Sequence, residues 1–204
     1  MNTEFIMENS ENSILIAEER KRKDIIVAVP HHAPLGTSKL PCEAHPDADE
    51  NAGVLGYYIS RLLNCCSVIA CNYFIDPNKS SKTDYYNKIK SWKPKFLVEI
   101  HGHGSRSARY DIEISSGKAE RNNWSKTLAE KLEAKMSLTA SLQKYKISGD
   151  FNKIHFQASK SATIKTDEWI PFHIELPKSI RSKKSEYLLF CEILAETIKE
   201  VMLE

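Results

Sequence analysis

The sequence predicts a single three-layer α-β-α domain with a mixed, largely parallel central sheet, and three observations carry that prediction. Short apolar runs rich in β-branched residues recur at 24–30, 67–71, 96–101 and 170–176. Segments of helical period separate them, at about 50–64, 83–92, 122–136 and 184–203. The strand-helix order over the first hundred residues requires right-handed crossovers and parallel neighbours. A length of 204 residues suits one domain with a proper core, so residues 24–204 are expected to form it. Residues 1–23, polar apart from two short apolar patches, are expected to be an N-terminal arm or a short peripheral helix.

Each element has its own signal. Residues 24–30 are too short for a helix and stop at Pro30. The proline-rich stretch 31–46 must be a loop, and its length is that of functional loops. The acids of 47–50 are expected to cap the next helix, whose apolar face is Val54, Tyr57, Tyr58, Leu62 and Ile59. Residues 110–115 alternate at period two, which predicts a strand with one wet face. Weaker signals at 145–148 and 153–157 suggest marginal strands, and 184–203 is an amphipathic helix with Leu188, Leu189, Ile193, Leu194, Ile198, Val201 and Met202 inward.

Composition narrows the function classes. With 29 basic and 27 acidic residues the net charge is +2, so no field favours nucleic acid or a membrane surface. No leader or membrane-length apolar stretch is evident, and a soluble, cytoplasmic protein is expected. The five cysteines form no CxxC pair, which suggests buried free thiols.

Chemistry-bearing residues cluster at predicted strand ends. The run 25–30 leads into His31 and His32, the run 96–100 into His101 and His103, and the run 170–174 into Glu175. Ligands of open α/β sheets bind outside these carboxyl ends. A catalytic zinc wants three ligands and leaves one position to water. His31 or His32, a carboxylate of the 47–50 cluster, and His101 or His103 would meet that count. Glu175 is the candidate base beside the metal-bound water. Exposed loop histidines and a capping acid are the structural alternatives for these residues.

Five motifs in order carry a resemblance: Val29-Pro30-His31, Ala48-Asp49-Glu50-Asn51-Ala52-Gly53, Asp76-Pro77-Asn78-Lys79, Glu99-Ile100-His101-Gly102 and His173-Ile174-Glu175-Leu176. Together they resemble the N-formylglutamate amidohydrolase family, related in fold to zinc carboxypeptidases, over most of the chain from Asp24. The resemblance implies zinc held by His31, Asp49 and His101, with His32, Glu50 and His103 as competitors. It implies Glu175 as proton shuttle, Glu99 as the acid orienting a ligand imidazole, and Asn78 and Lys79 at the substrate. Lys79 stands where the family has arginine, and lysine lacks the bidentate fork that grips a carboxylate. Arg106, Arg109 and Arg181 are further candidates for an acyl amino acid or glutamyl peptide. The expected partner is a small-molecule or short-peptide substrate, with homo-oligomerisation left open. A noncatalytic module for an acidic ligand and a phosphate-ester hydrolase are the rival classes.

Overall fold

Strand β3, Arg22–Ala33, shows how the sheet is built. Ile25, Val27 and Val29 enter one apolar cluster, while Ile26 and Ala28 enter another. Period-two alternation thus divides one β-branched run between two cores, and helices must cover both faces.

The chain's structure, a computed structural model, describes residues 2–7 and 14–203. Its other strands are β1 Asn2–Met7, β2 Ile14–Glu19, β4 Asp49–Glu50, β5 Cys65–Cys71, β6 Phe96–His103, β7 Ile112–Ser115, β8 Ile147–Ser148 and β9 Ile170–Pro177. Its helices are α1 Ala52–Leu63, α2 Asp84–Ser91, α3 Asn122–Ser137, α4 Ala162–Lys165, α5 Lys178–Ser182 and α6 Lys184–Val201. The sheet order is β1-β2-β5-β3-β6-β9-β7-β8, with β4 beside the end of β3. Strands β5, β3, β6 and β9 form a parallel centre, flanked by antiparallel β2 and β7. Leu55 and Ile59 of α1, Leu128 and Leu132 of α3, and Phe190 and Leu194 of α6 fill the first cluster. Tyr85 and Ile89 of α2 and Ile164 of α4 fill the second, with Trp92 and Trp169. Among the described residues no helix is long and apolar enough to cross a membrane, and the cysteines are free.

Five local expectations are corrected. The supposed arm supplies two antiparallel strands: β1 pairs with β2, and β2 pairs with β5 and buries Leu15 and Ala17, so these strands extend the sheet; positions 1 and 8–13 of that arm lie outside the described residues. The inner face of α1 is Ala52, Gly53, Leu55, Gly56, Ile59, Ser60 and Leu63, whereas Leu62 is exposed. Here close approach overrides size, since a Cβ on Gly56 would lie 2.5 Å from Val29 Cγ2. Asp49 and Glu50 do not cap α1. They form β4 against His32 and Ala33, and Asn51, at φ 65°, turns the chain into the helix. Strand β7 has no wet face: Ile112 and Ile114 pack with α3, and on the other face Glu113 and Ser115 are buried under the 155–157 segment, whose backbone they bind. Of the two marginal strands only β8 forms; 153–157 is irregular.

At Gly149 a Cβ would lie 2.0 Å from the Ser125 carbonyl oxygen, and backbone cannot yield as a side chain can. Gly149→Ala should therefore cost roughly 1–3 kcal/mol. Urea denaturation should show this against Gly104→Ala, whose added methyl meets nothing within 4 Å.

Candidate metal centre

On β6 the side chains of Leu97, Glu99, His101 and His103 share one face by strand parity. Leu97 ends the second apolar cluster, and beyond it the same face is polar. Parallel pairing sets Glu99 beside His173 and His101 beside Glu175. His31 arrives from the end of β3, and β4 brings Asp49 alongside by pairing with His32. A register shift in β3 between Val29 and His32 marks the point where regular pairing gives way.

Three ligand atoms converge. Asp49 Oδ2 lies 3.4 Å from His31 Nδ1 and 3.3 Å from His101 Nδ1, and the set falls within 4.8 Å. All three residues are buried. The far nitrogen of each imidazole is occupied: His31 Nε2 is 3.0 Å from Asp76 Oδ1, and His101 Nε2 is 3.1 Å from Glu99 Oε2. Glu99 in turn accepts from Asn78 Nδ2 and the Tyr85 hydroxyl. A carboxylate behind an imidazole holds the proton on Nε2 and turns the Nδ1 lone pair forward. His31 Nδ1 and Asp49 Oδ2 are buried with no hydrogen-bond partner. Orphaned polar atoms cost about 1–3 kcal/mol each, and two imidazole nitrogens with a carboxylate oxygen are a donor set suited to a divalent cation.

Electrostatics agree with that fit. Burial opposes protonation of His101, but Asp49 and Glu99 outweigh it and lift its pKa to about 10. Burial likewise resists ionisation of Asp49, yet His101 and His31 hold it below the usual carboxylate range. In the protein alone, imidazole protons supply the positive charge that a cation would bring.

A second buried group adjoins the first: His101, His173 and Glu175 also bring ligand atoms within 4.8 Å of one another. His173 Nε2 is 3.5 Å from Glu175 Oε1, and the His173 and His101 ring centroids are 4.2 Å apart. Glu175 Oε2 and His173 Nδ1 have no partner. Burial pushes the Glu175 carboxyl up to about 7 against the pull of His101. His45, from the long loop after β3, stacks on His31 at 3.9 Å. Sequence reasoning assigned no role to Asp76, His45 or His173. Asp76 and His173 stand inside quoted motifs, but His45 reaches the site by loop fold-back, which no spacing rule reveals.

Several other candidates are committed elsewhere. His32 Nδ1 accepts from the Gly53 N–H at the start of α1. His103 Nε2 meets the Asp111 carbonyl and its Nδ1 accepts from Ser105 N–H. Glu50 pairs with Lys178 and accepts from Gly36 N–H. None of these three joins either group of converging ligand atoms among the described residues. Arg181 is buried at the cavity lining, and its guanidinium donates to the carbonyls of Glu50, Leu176 and His103, so it braces the backbone there. Arg109 donates to the Lys153 carbonyl and is not part of the cavity wall. Asn78 is turned toward Glu99.

The cluster opens on a cavity of about 790 Å³. Loops at 102–107 and 155–161 form two of its walls, and Lys79, Arg106 and Lys160 stand exposed on it. Glu113 fastens both loops: one oxygen accepts from the backbone N–H groups of Arg109 and Tyr110, the other from those of His155 and Phe156. Glu113→Gln sets an amide NH2 against two of these donors and should cost roughly 2–4 kcal/mol. Hydrogen exchange should accelerate at those four amides; unchanged protection there would contradict the assigned brace.

Comparison with family models and with curated protein sequences gives no match. Solved structures do resemble the chain. The gene product Atu2144 from Agrobacterium tumefaciens aligns over 93% of both chains at 13% identity with a TM-score of 0.55. The N-acetylmuramoyl-L-alanine amidase AmiC2 of Nostoc punctiforme aligns over 90% of this chain and 99% of its own, at 12% identity and 0.52. A bacteriophage poly-gamma-glutamate hydrolase aligns over 97% and 94%, at 12% identity and 0.50. The chain thus has a fold that an amidase and a glutamate-polymer hydrolase also have, while the narrower N-formylglutamate amidohydrolase resemblance rests on the sequence motifs.

Proposed function

We propose that the chain is a zinc-dependent hydrolase cleaving a carbon-nitrogen amide bond in an N-acyl amino acid or glutamyl-type peptide, akin to N-formylglutamate amidohydrolases. The observation that carries this reading is the convergence of His31 Nδ1, Asp49 Oδ2 and His101 Nδ1, with both imidazoles backed by buried carboxylates. The amidase and the poly-gamma-glutamate hydrolase of the same fold support amide hydrolysis as the reaction class. The five free thiols suit a cytoplasmic setting.

His31, Asp49 and His101 would hold the zinc, while Asp76 and Glu99 keep their imidazoles in the binding tautomer. A zinc ion there would supply an acidified water and polarise a carbonyl. Glu175 is the general base and acid of this reading, its unpartnered Oε2 being the oxygen free to hold a proton and pass it to the leaving nitrogen. Lys79 and Arg106 on the cavity wall face the acid group of the substrate. As a point charge, Lys79 tolerates more carboxylate positions than the arginine of the resembling family.

Protein prepared without chelator should carry about one equivalent of zinc. Glu175→Gln should keep that metal and lose roughly 10²–10⁴-fold in turnover of N-acyl glutamates or γ-glutamyl peptides; retained turnover would remove the assigned base. Asp76→Ala should weaken zinc affinity by roughly 10–100-fold in a competitive chelator titration. A chain that takes up no zinc, cobalt or manganese would leave a noncatalytic module for acidic ligands as the better account.

A further inference from the structure

The cavity is larger than a single acylated amino acid needs. At about 790 Å³ it falls well inside the range of roughly 300–1,000 Å³ that holds drug-sized ligands. Its lining also carries charge that the protein itself does not answer. Of the lining carboxylates outside the buried cluster, Asp47 is paired with Lys39 and Glu50 with Lys178. Lys79, Arg106 and Lys160 line the same cavity, are exposed, and have no carboxylate partner among the described residues.

These three cations divide between two walls. Lys79 Nζ is 3.4 Å from Ser161 Oγ, which sets it beside the 155–161 loop that carries Lys160, whereas Arg106 rides on the 102–107 loop. Glu113 accepts from backbone amides close to both loops, so the spacing of the walls is set before any ligand arrives. Like charges gathered around one space repel, and anions entering that space relieve the repulsion. An acylated diacid such as N-acetylglutamate brings two carboxylates; a third is first reached when a second acidic residue is added.

We infer that the cavity is built for an acidic oligopeptide, whose successive carboxylates lie against Lys79, Arg106 and Lys160 while one of its amides reaches the buried cluster. This rests on the proposed hydrolase reading and narrows its substrate from a single acyl amino acid to a chain of acids, with Lys160 and Arg106 setting the preference for length. Exposed ion pairs are individually weak and are screened by salt, so the preference builds with each added carboxylate and fades as ionic strength rises.

Two measurements on the full, zinc-loaded chain test it. The first is kcat/KM at low ionic strength for N-acetylglutamate and for N-acetylated glutamyl dimers and trimers, in α-linked and γ-linked series. The trimer of at least one series should exceed N-acetylglutamate by about 3–20-fold, and salt at about 0.5 M should remove most of that gain. Trimers whose free carboxyls are replaced by amides should show no gain; a gain that survives in them, or in high salt, assigns the preference to length alone and overturns the inference. Lys160→Gln and Arg106→Gln should each lower the trimer-to-monomer ratio by about 2–5-fold, whereas Lys199→Gln, which removes the same charge from α6 outside the cavity, should leave it unchanged. A ratio that neither cavity variant moves sinks the assignment. The second measurement is calorimetric titration of Glu175→Gln protein with the same peptides, in which the trimer should bind tighter than N-acetylglutamate by a similar factor; equal affinities would overturn the inference. Wild-type protein that hydrolyses none of the peptides counts against the hydrolase reading, and the titration then decides the preference for acidic oligomers by itself.

Discussion

A buried lattice of three carboxylates and two imidazoles governs this molecule. Asp76, His31, Asp49, His101 and Glu99 follow one another at separations of 3.0–3.4 Å, all shielded from solvent. Such a lattice is costly without compensation, because each buried charge loses its hydration and each orphaned oxygen or nitrogen loses a partner. Its geometry leaves the lone pairs of His31 Nδ1 and Asp49 Oδ2 unanswered while tying down the opposite edge of both rings. A fold under no functional demand would fill this volume with apolar side chains, as it does one layer deeper at Leu97.

The surrounding architecture serves that lattice. The turn after β5 places Asp76 behind His31 and Asn78 against Glu99, so a single segment steadies both imidazoles from behind. Tyr85 of α2 reaches Glu99 from the second core. Arg181 lies against Gly102, where a Cβ would sit 2.3 Å from its Cζ, and it joins the ends of β4, β6 and β9 through their carbonyls. On the far side Glu113 gathers the two loops that wall the cavity. Charged side chains that looked available for substrate are thus used to close backbone valences near the site, since strand ends and irregular loops carry N–H and C=O groups that no ladder satisfies.

The cavity has a basic wall above a mixed floor. Asp49 and Glu175 lie deep beside the imidazoles of His31 and His101, whereas Lys79, Arg106 and Lys160 are exposed, so the wall would draw anions toward the cavity mouth.

Much of this was legible in the chain. Runs of β-branched residues ended by proline or histidine determined β3, β6 and β9, because burial on both faces leaves no other pattern. The right imidazole at each strand end was not legible from spacing, since His31 and His32, or His101 and His103, differ only in what lies behind them. Parity favours His101 only once Glu99 is known to be its partner, and His103 lies on the same face with both nitrogens engaged. Of the apolar face expected for α1, Leu62 is exposed, while Gly53 and Gly56 join Leu55, Ile59 and Leu63 on the inner face because they let helix and strand approach closely. Asp49, expected as a cap, proved to be a short strand residue because pairing with β3 carries its carboxylate into the lattice. His45 and the four-amide grip of Glu113 depend on loops folding back across 14 and 42 residues of chain respectively. Local sequence determined which segments were strands and helices; only the tertiary fold decided which of their polar atoms were spent and which were left open, because hydrogen-bond valence is settled among groups distant along the chain.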